Sequence, residues 1–367
     1  MIKCLYITNG INGSGGLERV LSVKASYLAD ELNYDVHILT LNNGDENPFF
    51  EFSKNITMHD VKVGGSKPVK YFLSYKNGIQ EVLNRVKPDI ISVCDDGLKG
   101  VMFPLIFGQH TPVIYERHVS KQIEVKSDNP SMIQRLFNSL KFRLMDFSAS
   151  KFHQFIVLTN GSKKEWKLNN IEVIPNPMPF NVSEKSKLLS KTVLVVGKQS
   201  YQKGYDRLLE IWKEVSAKHS DWKVEVYGKL DSSLGLEKRA KALGIEDKVS
   251  FNPPIQDIDE KYKEASLYLM TSRFEGFGMV LIEAMSYGVP CISFDCPYGP
   301  SDIISDKEDG FIIKNGDISS FANAVIQLIE NEELRHSMGM NAIENVQRYN
   351  IESIGKKWDE LFKSMVD

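Results

Sequence analysis

Short β-branched runs alternate with helical patterns along almost the whole chain, and that alternation leaves little choice of architecture. Ile2–Thr8, Asp35–Leu41, Asp89–Val93, Val113–Tyr115 and Phe155–Leu158 read as strands. After a break the rhythm restarts with Val193–Val196, Lys223–Tyr227, Ser266–Met270, Cys291–Phe294 and Phe311–Ile313. Strands of this kind, with helical patterns between them, form parallel sheets covered on both faces. The expectation is an α/β protein. The break falls at Ile174-Pro-Asn-Pro-Met-Pro179, where three prolines exclude both helix and central strand, and a polar stretch, Asn181 to Lys191, follows. With 367 residues, two domains are the first expectation. They are placed at 1–178 and 179–350. Beyond them, Ile351, Ile354, Trp358, Leu361, Phe362 and Met365 fall on one helical face, so a terminal helix must dock on something.

The composition narrows the class. A 42% hydrophobic share supplies two cores, and a net charge of −3 gives no reason to expect nucleic acid. The first residues run straight into a glycine-rich turn and do not read as a signal peptide. No run of 18 apolar residues occurs. Cys4, Cys94, Cys291 and Cys296 are scattered, with no C-x-x-C pair, and read as buried thiols of a cytoplasmic protein.

In open parallel sheets, ligands bind beyond the carboxyl ends of the strands, so the loops there carry the chemistry. The first is Asn9-Gly-Ile-Asn-Gly-Ser-Gly-Gly-Leu-Glu18, whose Gly15 and Gly16 let backbone N–H groups approach an anion at a helix start. It is not a dinucleotide fingerprint, because Glu18 stands where the third glycine belongs, and Gly16 stands where a P-loop needs lysine. Glu116-Arg-His118 follows Val113–Tyr115. Gly197-Lys-Gln-Ser-Tyr-Gln-Lys-Gly204 sets Lys198 and Lys203 at a helix N-terminus, an unfavourable place for cations unless an anion such as a diphosphate sits between them. The strongest signal is Thr271-Ser-Arg-Phe-Glu-Gly-Phe-Gly-Met-Val-Leu-Ile-Glu-Ala-Met285. Glu275 lies in a glycine-flanked loop, Gly276 and Gly278 free N–H groups at the helix start, and Glu283 lies within an apolar helical run where solvation does not explain it.

These residues resemble the retaining GT-B glycosyltransferases of family 4, whose hallmark is two glutamates separated by seven residues, as in Glu275-x7-Glu283. The resemblance continues in Val196-Gly-Lys with Lys203-Gly, in Gly288-Val-Pro-Cys-Ile-Ser and in Asp309-Gly-Phe-Ile-Ile. The stretch Phe294-Asp-Cys-Pro-Tyr-Gly-Pro-Ser-Asp-Ile-Ile304 looks like a branch that builds bacterial surface polysaccharides. The resemblance implies two Rossmann-like domains whose parallel sheets face each other across a cleft. The first would be an acceptor domain capped by the returning helix 351–367, the second a sugar-nucleotide donor domain. It also implies roles. Lys198 and Lys203 would hold the donor diphosphate, Glu283 the ribose and Glu275 the donor sugar. Gly276, Phe277, Gly278, Met279 and Val280 would line the donor, the last three offering N–H groups to phosphate. Phe251 to Ile255, Pro254 included, would edge the base pocket, and Gly15 and Gly16 would meet phosphates or acceptor. His118 matches the position of a family histidine near the reacting carbon, with Arg117 beside it. One departure is Lys198, where the family usually carries arginine with its bidentate fork.

The implied reaction is retaining transfer of a hexosyl or N-acetylhexosaminyl group from a nucleoside diphosphate sugar, UDP favoured over GDP, to a glycan or lipid-linked acceptor. The rival readings are a sugar-nucleotide epimerase, a phosphorylase, a silent nucleotide- or glycan-binding protein, and a nicotinamide oxidoreductase, which the failed glycine fingerprint disfavours. No cofactor and no metal are expected, since Asp257-Ile-Asp259 lies in a polar loop and enzymes of this fold do not generally need a metal there. Residues 132–152 carry Ile133, Leu136, Phe137, Leu140 and Leu144 on one side with basic residues around them. Packing on the first domain is favoured there over contact with anionic lipid at the inner membrane face.

Overall fold

A computed structural model describes residues 1–44, 46–65, 67–121, 131–179, 182 and 184–366. Asn181 and Ser183 of the expected linker, and Asp367, lie outside the described residues. The chain divides into two compact units, Met1–Pro179 with Ile351–Asp367, and Phe180–Asn350.

The first unit runs β1 (Lys3–Thr8), α1 (Gly16–Asp30), β2 (Asp35–Leu41), β3 (Thr57–Val61), α2 (Pro68–Val86), β4 (Ile90–Cys94), α3 (Leu98–Val101), α4 (Phe103–Phe107), β5 (Val113–Arg117), α5 (Met132–Ala149), β6 (Gln154–Val157), α6 (Asn160–Lys163) and β7 (Ile171–Val173). The second runs β8 (Thr192–Val196), α7 (Tyr205–Lys218), β9 (Lys223–Tyr227), α8 (Leu236–Ala242), β10 (Val249–Asn252), α9 (Ile258–Glu264), β11 (Leu267–Met270), α10 (Met279–Ser286), β12 (Cys291–Asp295), α11 (Pro300–Ile303), β13 (Gly310–Lys314), α12 (Ile318–Glu330) and α13 (Glu332–Val346). The last helix, α14 (Ile351–Val366), returns to the first unit.

Both sheets are parallel, with strand orders β3-β2-β1-β4-β5-β6-β7 and β10-β9-β8-β11-β12-β13. Each order reverses direction once, between β1 and β4 in the first unit and between β8 and β11 in the second. Such a switch point opens a crevice at the carboxyl edge, because the loops on its two sides diverge.

The pleat of β1 sorts the first core. Leu5 and Ile7 point to a layer with Tyr75 and Ile79 of α2, Phe103 of α4 and Met145 of α5. Cys4 and Tyr6 point to the opposite layer, with Leu21 and Ala25 of α1 and Ile354, Trp358 and Phe362 of α14. The apolar stripe of α14 is therefore covered by α1 and the sheet, and Tyr34 donates to Asp359 at 2.7 Å beside it. In the second unit, Val193, Val195, Leu208, Trp212, Val224, Leu267 and Ile292 join the apolar faces of α7 and α12 in one core. The four cysteines are buried and unpaired.

Two findings depart from expectation. The sequence reading omits β3, β7 and β10, all of them edge strands, which form because a neighbour offers its free ladder. The second concerns α5: only Met145, Ser148 and Ala149 near its end are buried, while Ile133, Leu136, Phe137, Leu140 and Leu144 are exposed. The helix packs on the first unit, as expected, but only through Phe142, Met145 and Ala149 towards its carboxyl end, and the apolar stripe points away from that buried side. No helix of the described residues is long and apolar enough to cross a membrane.

Candidate functional site

The second unit gathers its polar residues at the switch point. The loop after β8 ends at Gly204, whose φ of +65° caps α7. A Cβ at Gly204 would stand 2.3 Å from the Thr271 carbonyl oxygen, so glycine here lets the two loops touch. The Thr271 hydroxyl donates back to the Lys203 carbonyl at 3.1 Å. Across this seam the Lys203 ammonium reaches Glu275 Oε1 at 2.8 Å, and Ser272 Oγ donates to the same oxygen at 2.6 Å. Both charged side chains are largely buried. Glu275 is pinned through its backbone as well: its N–H donates to the Pro297 carbonyl at 2.7 Å and its carbonyl accepts from Tyr298 N–H at 3.0 Å. Arg273 forks onto Asp206 at 2.9 and 2.7 Å and lies over the Tyr201 ring, tying the loop to the start of α7.

Helix α10 begins at Gly278, which has φ +103° and supplies no side-chain cap. The first N–H groups of a helix have no intrahelical acceptor, so those of Met279 and Val280 lie at a positive helix end beside the Lys203–Glu275 pair. Gly276, Phe277, Gly278 and Met279 are buried in this turn, and Gly299 lets the following loop close onto it, where a Cβ would stand 1.8 Å from the Phe277 carbonyl oxygen. One turn on, Glu283 is buried and accepts from Tyr262 Oη at 2.7 Å, with Tyr262 stacked on Tyr287. Lys198 is exposed in the loop after β8. Pro254 and Ile255 follow β10 at the same sheet edge, Pro254 exposed and Ile255 partly so. Asp257 and Asp259 sit at the start of α9, with Asp259 beside Lys263 at 3.8 Å.

In the first unit the switch-point loops are joined by Asn9 donating to Asp95 at 2.8 Å. Gly15 caps α1 in an exposed turn, next to Gly16. The Glu18 carboxylate folds onto this turn, 2.6 Å from where a Gly15 Cβ would be, so an anion arriving here must displace it. His118 is the first residue past β5, and its side chain is buried. Arg117 turns inward: its guanidinium donates to the Asp96 carbonyl at 2.6 Å and is almost fully enclosed. Both residues keep unused polar atoms, Nε of Arg117 and the two ring nitrogens of His118, but the rest of the Arg117 guanidinium is spent on the Asp96 and Ser120 carbonyls.

Behind His118 stands a buried polar group that sequence reasoning missed. Glu116 Oε2 lies 3.4 Å from His118 Nε2, Ser92 donates to Glu116 Oε1 at 2.5 Å, and the Lys24 ammonium pairs with Glu116. Lys24 is in turn roofed by the Trp358 ring of α14 at 4.0 Å. Burial pushes the Glu116 carboxyl up, but the Lys24 ammonium, helped by His118, outweighs it and holds the group at about 2. Cys94, Glu116 and His118 bring potential metal-ligand atoms within 4.8 Å of one another. A dication there would share its buried space with the Lys24 ammonium, so this donor set is better fitted to an ion pair. A lysine in the middle of α1 carries no motif; only its position on the face turned towards β1 could have flagged it. A 450 Å³ hollow lined by Gln80, Ile91, Phe107 and Val113 lies at the amino ends of β4 and β5, away from all these loops.

The chain matches known proteins over nearly its full length. Residues 14–181 match the family described as Glycosyltransferase Family 4, and residues 181–345 match Glycosyl transferases group 1. It is 30% identical to the amylovoran biosynthesis glycosyltransferase AmsD of Erwinia amylovora over 98% of this chain and 99% of that protein. It is also 30% identical to the lipopolysaccharide 1,6-galactosyltransferase of Salmonella typhimurium, covering 90% of each. Among solved structures, S. aureus TarM in complex with Fondaparinux, alpha-GlcNAc-glycerol and UDP superposes with a TM-score of 0.81 at 17% identity, over 99% of this chain and 100% of that one. Anabaena HepE in complex with UDP-glucose gives 0.78 at 17% identity, over 99% and 100%. At these identities the superpositions establish the fold, a GT-B architecture.

Proposed function

The chain belongs to the family 4 glycosyltransferases of GT-B fold, enzymes of surface polysaccharide biosynthesis, and from that premise we propose retaining transfer of a hexosyl or N-acetylhexosaminyl group from a nucleoside diphosphate sugar. The observation that carries this reading is the Lys203–Glu275 pair at 2.8 Å, which bridges both switch-point loops beside the uncapped start of α10.

The arrangement suits a diphosphate leaving group. Lys203 and the exposed Lys198 supply positive charge, and the N–H groups of Gly278, Met279 and Val280 supply oriented dipoles. Charge that develops on the diphosphate as the sugar's C1–O bond breaks is stabilised by groups already in place, which is where such sites gain most of their rate. Glu275, held by Lys203 and Ser272, contacts the donor sugar; Glu283, oriented by Tyr262, accepts from the ribose hydroxyls; Pro254 and Ile255 edge the base. Uridine is favoured over guanosine as that base. In the first unit, Gly15 and Gly16 meet phosphates or acceptor, and His118 serves the reacting centre, its orientation set by Glu116. The acceptor, a glycan or lipid-linked saccharide, attacks the face that the diphosphate leaves. No metal or cofactor takes part, and the working place is the cytoplasm, at the inner face of the membrane.

Thermal unfolding in the presence of UDP-, GDP- and ADP-sugars tests this reading. A donor at 100 times its dissociation constant stabilises by about 2.7 kcal/mol, and the UDP-sugar should give the largest shift. No shift with any of the three would sink the donor site. Conversion of a donor in the absence of acceptor would point to an epimerase instead.

A further inference from the structure

The pleat of β5 sends Ile114 and Glu116 towards the layer of α1 and α14, and Tyr115 towards the opposite one. What Glu116 meets there is unusual for a sheet interior. The Lys24 ammonium pairs with its Oε2, and each of the two side chains is only 2% exposed. Ser92 donates to Oε1 at 2.5 Å. The ammonium lies beside two rings, Trp358 at 4.0 Å and Tyr6 at 4.9 Å, which take the place of water around it. Burial pushes the Cys94 thiol well up, so this neighbour on β4 brings no charge.

Stability alone does not account for this arrangement. An apolar pair of the same volume, put in place of a buried ion pair, is often as stable or more so. The ion pair does something that an apolar pair could not. It keeps a carboxylate, which only accepts hydrogen bonds, 3.4 Å from His118 Nε2. The His118 N–H donates to Asp96 at 3.1 Å, so the backbone is held there and the ring orientation is what remains to be set. A ring nitrogen that faces a carboxylate carries the proton, which here is Nε2. In the neutral ring Nδ1, buried and without a partner, is then the acceptor left for an incoming hydroxyl.

The roof over Lys24 comes from the end of the chain. Gly355 of α14 lets the Tyr27 ring of α1 lie close to the helix backbone, for a Cβ would stand 2.4 Å from that ring. One turn on, Trp358 reaches over Lys24, with the Phe362 ring tilted against it at 5.6 Å. We propose that Lys24 and Trp358 are positioning residues for His118: they fix Glu116 beside the imidazole, which makes α14 part of the catalytic apparatus of the first unit as well as its cover. This deepens the proposed function and takes the role of His118 from it, whereas the hold on the ring stands on the geometry of the first unit alone.

Two readouts on the full chain test the proposal. One is imidazole nitrogen–proton correlation NMR of histidine-labelled protein in mildly alkaline buffer, with His118 assigned by the loss of its signal in His118→Gln. The other is release of UDP from UDP-glucose, UDP-galactose and UDP-N-acetylglucosamine, with water as the acceptor. The parent should show a single His118 tautomer with its proton on Nε2. Lys24→Met combined with Glu116→Gln leaves no stranded charge, and sets against Nε2 an amide that donates as well as accepts. Its His118 should show both tautomers, and UDP release should fall about 10- to 100-fold, as when a group that orients a working imidazole is lost elsewhere. Trp358→Leu should change both readouts in the same direction, and Trp358→Phe, which keeps a ring over the ammonium, should recover most of the loss. The UDP-induced thermal shift should persist in every variant, because the proposed diphosphate contacts belong to the second unit. A parent with the proton on Nδ1 overturns the proposal. So does a double variant with the parental tautomer and rate, or a Trp358→Leu variant that matches the parent in both readouts. A parent that shows the Nε2 tautomer but releases UDP from none of the three donors counts against the donor reading and leaves the positioning standing.

Discussion

Replacing Lys24 with methionine should reveal how much the first unit depends on one buried charge pair. Lys24 and Glu116 have side chains only 2% exposed each, so water cannot compensate either charge. Lys24→Met keeps most of the aliphatic volume and removes the ammonium. Glu116 then retains Ser92 as a donor at 2.5 Å but loses its counter-charge in a dry interior. Breaking such a pair from one side costs about 3–5 kcal/mol. The rings of Trp358 and Tyr6, 4.0 and 4.9 Å from the ammonium, lose their cation as well, which loosens α14 against the sheet. For a unit of this size each kcal/mol moves the melting temperature by roughly 2–4 °C, so the first unit should melt about 6–20 °C lower while the second stays put. Scanning calorimetry resolves the transitions, and Trp358 fluorescence reports the returning helix. Adding Glu116→Gln removes the stranded charge and should restore most of the loss. A single variant that costs less than about 1 kcal/mol, or a double variant no better than the sum of the singles, would refute the assignment of this pair as mutually compensating.

Four further outcomes follow from the same geometry. Lys203→Ala should lower kcat about 10²-fold, as loss of one preorganised charge donor does elsewhere, with the unit still folded by circular dichroism. Gly204→Ala forces a left-handed φ on alanine and drives its Cβ to 2.3 Å from the Thr271 carbonyl oxygen, so it should weaken both the thermal transition of the second unit and the UDP-induced shift. Tyr262→Phe removes the 2.7 Å donor to buried Glu283, costing about 1.5–3 kcal/mol in urea unfolding and raising KM for the donor more than it lowers kcat. On acidification, a carboxyl held below its unfolded value contributes stability that is present above that value and lost beneath it. For Glu116, held at about 2 against an ordinary 4.5, this places a loss of about 3 kcal/mol in the first unit between those two values, readable by acid titration of Trp fluorescence and absent in Glu116→Gln.

Much of this molecule was legible in one dimension. Asp35–Leu41 and Lys223–Tyr227 are strands to the residue, because both are interior strands whose alternating β-branched residues point into a core and stop sharply at each end. The strands that escaped notice, Thr57–Val61, Ile171–Val173 and Val249–Asn252, share a cause. Each is an edge, half in water, and its pattern is set by the neighbour it pairs with. The two glutamates of Glu275-x7-Glu283 and the two lysines ahead of α7 were visible as residues out of place: carboxylates in apolar surroundings and cations at the wrong end of a helix.

What only the tertiary structure decided is which of those residues meet. Lys203 and Glu275 are 72 positions apart in the chain and 2.8 Å apart in space, a contact made by the strand order that sets β8 beside β11. Lys24, Glu116 and Trp358 lie on a helix, a strand and the returning α14, and no local pattern could have joined them. The same holds for α5, whose amphipathic stripe was plain from the sequence while the side left uncovered was not. Periodicity and spacing are carried by neighbours along the chain, and the sequence determines them alone. Pairing, burial and exposure depend on what the rest of the fold places opposite a residue, and only the packed sheets decide that.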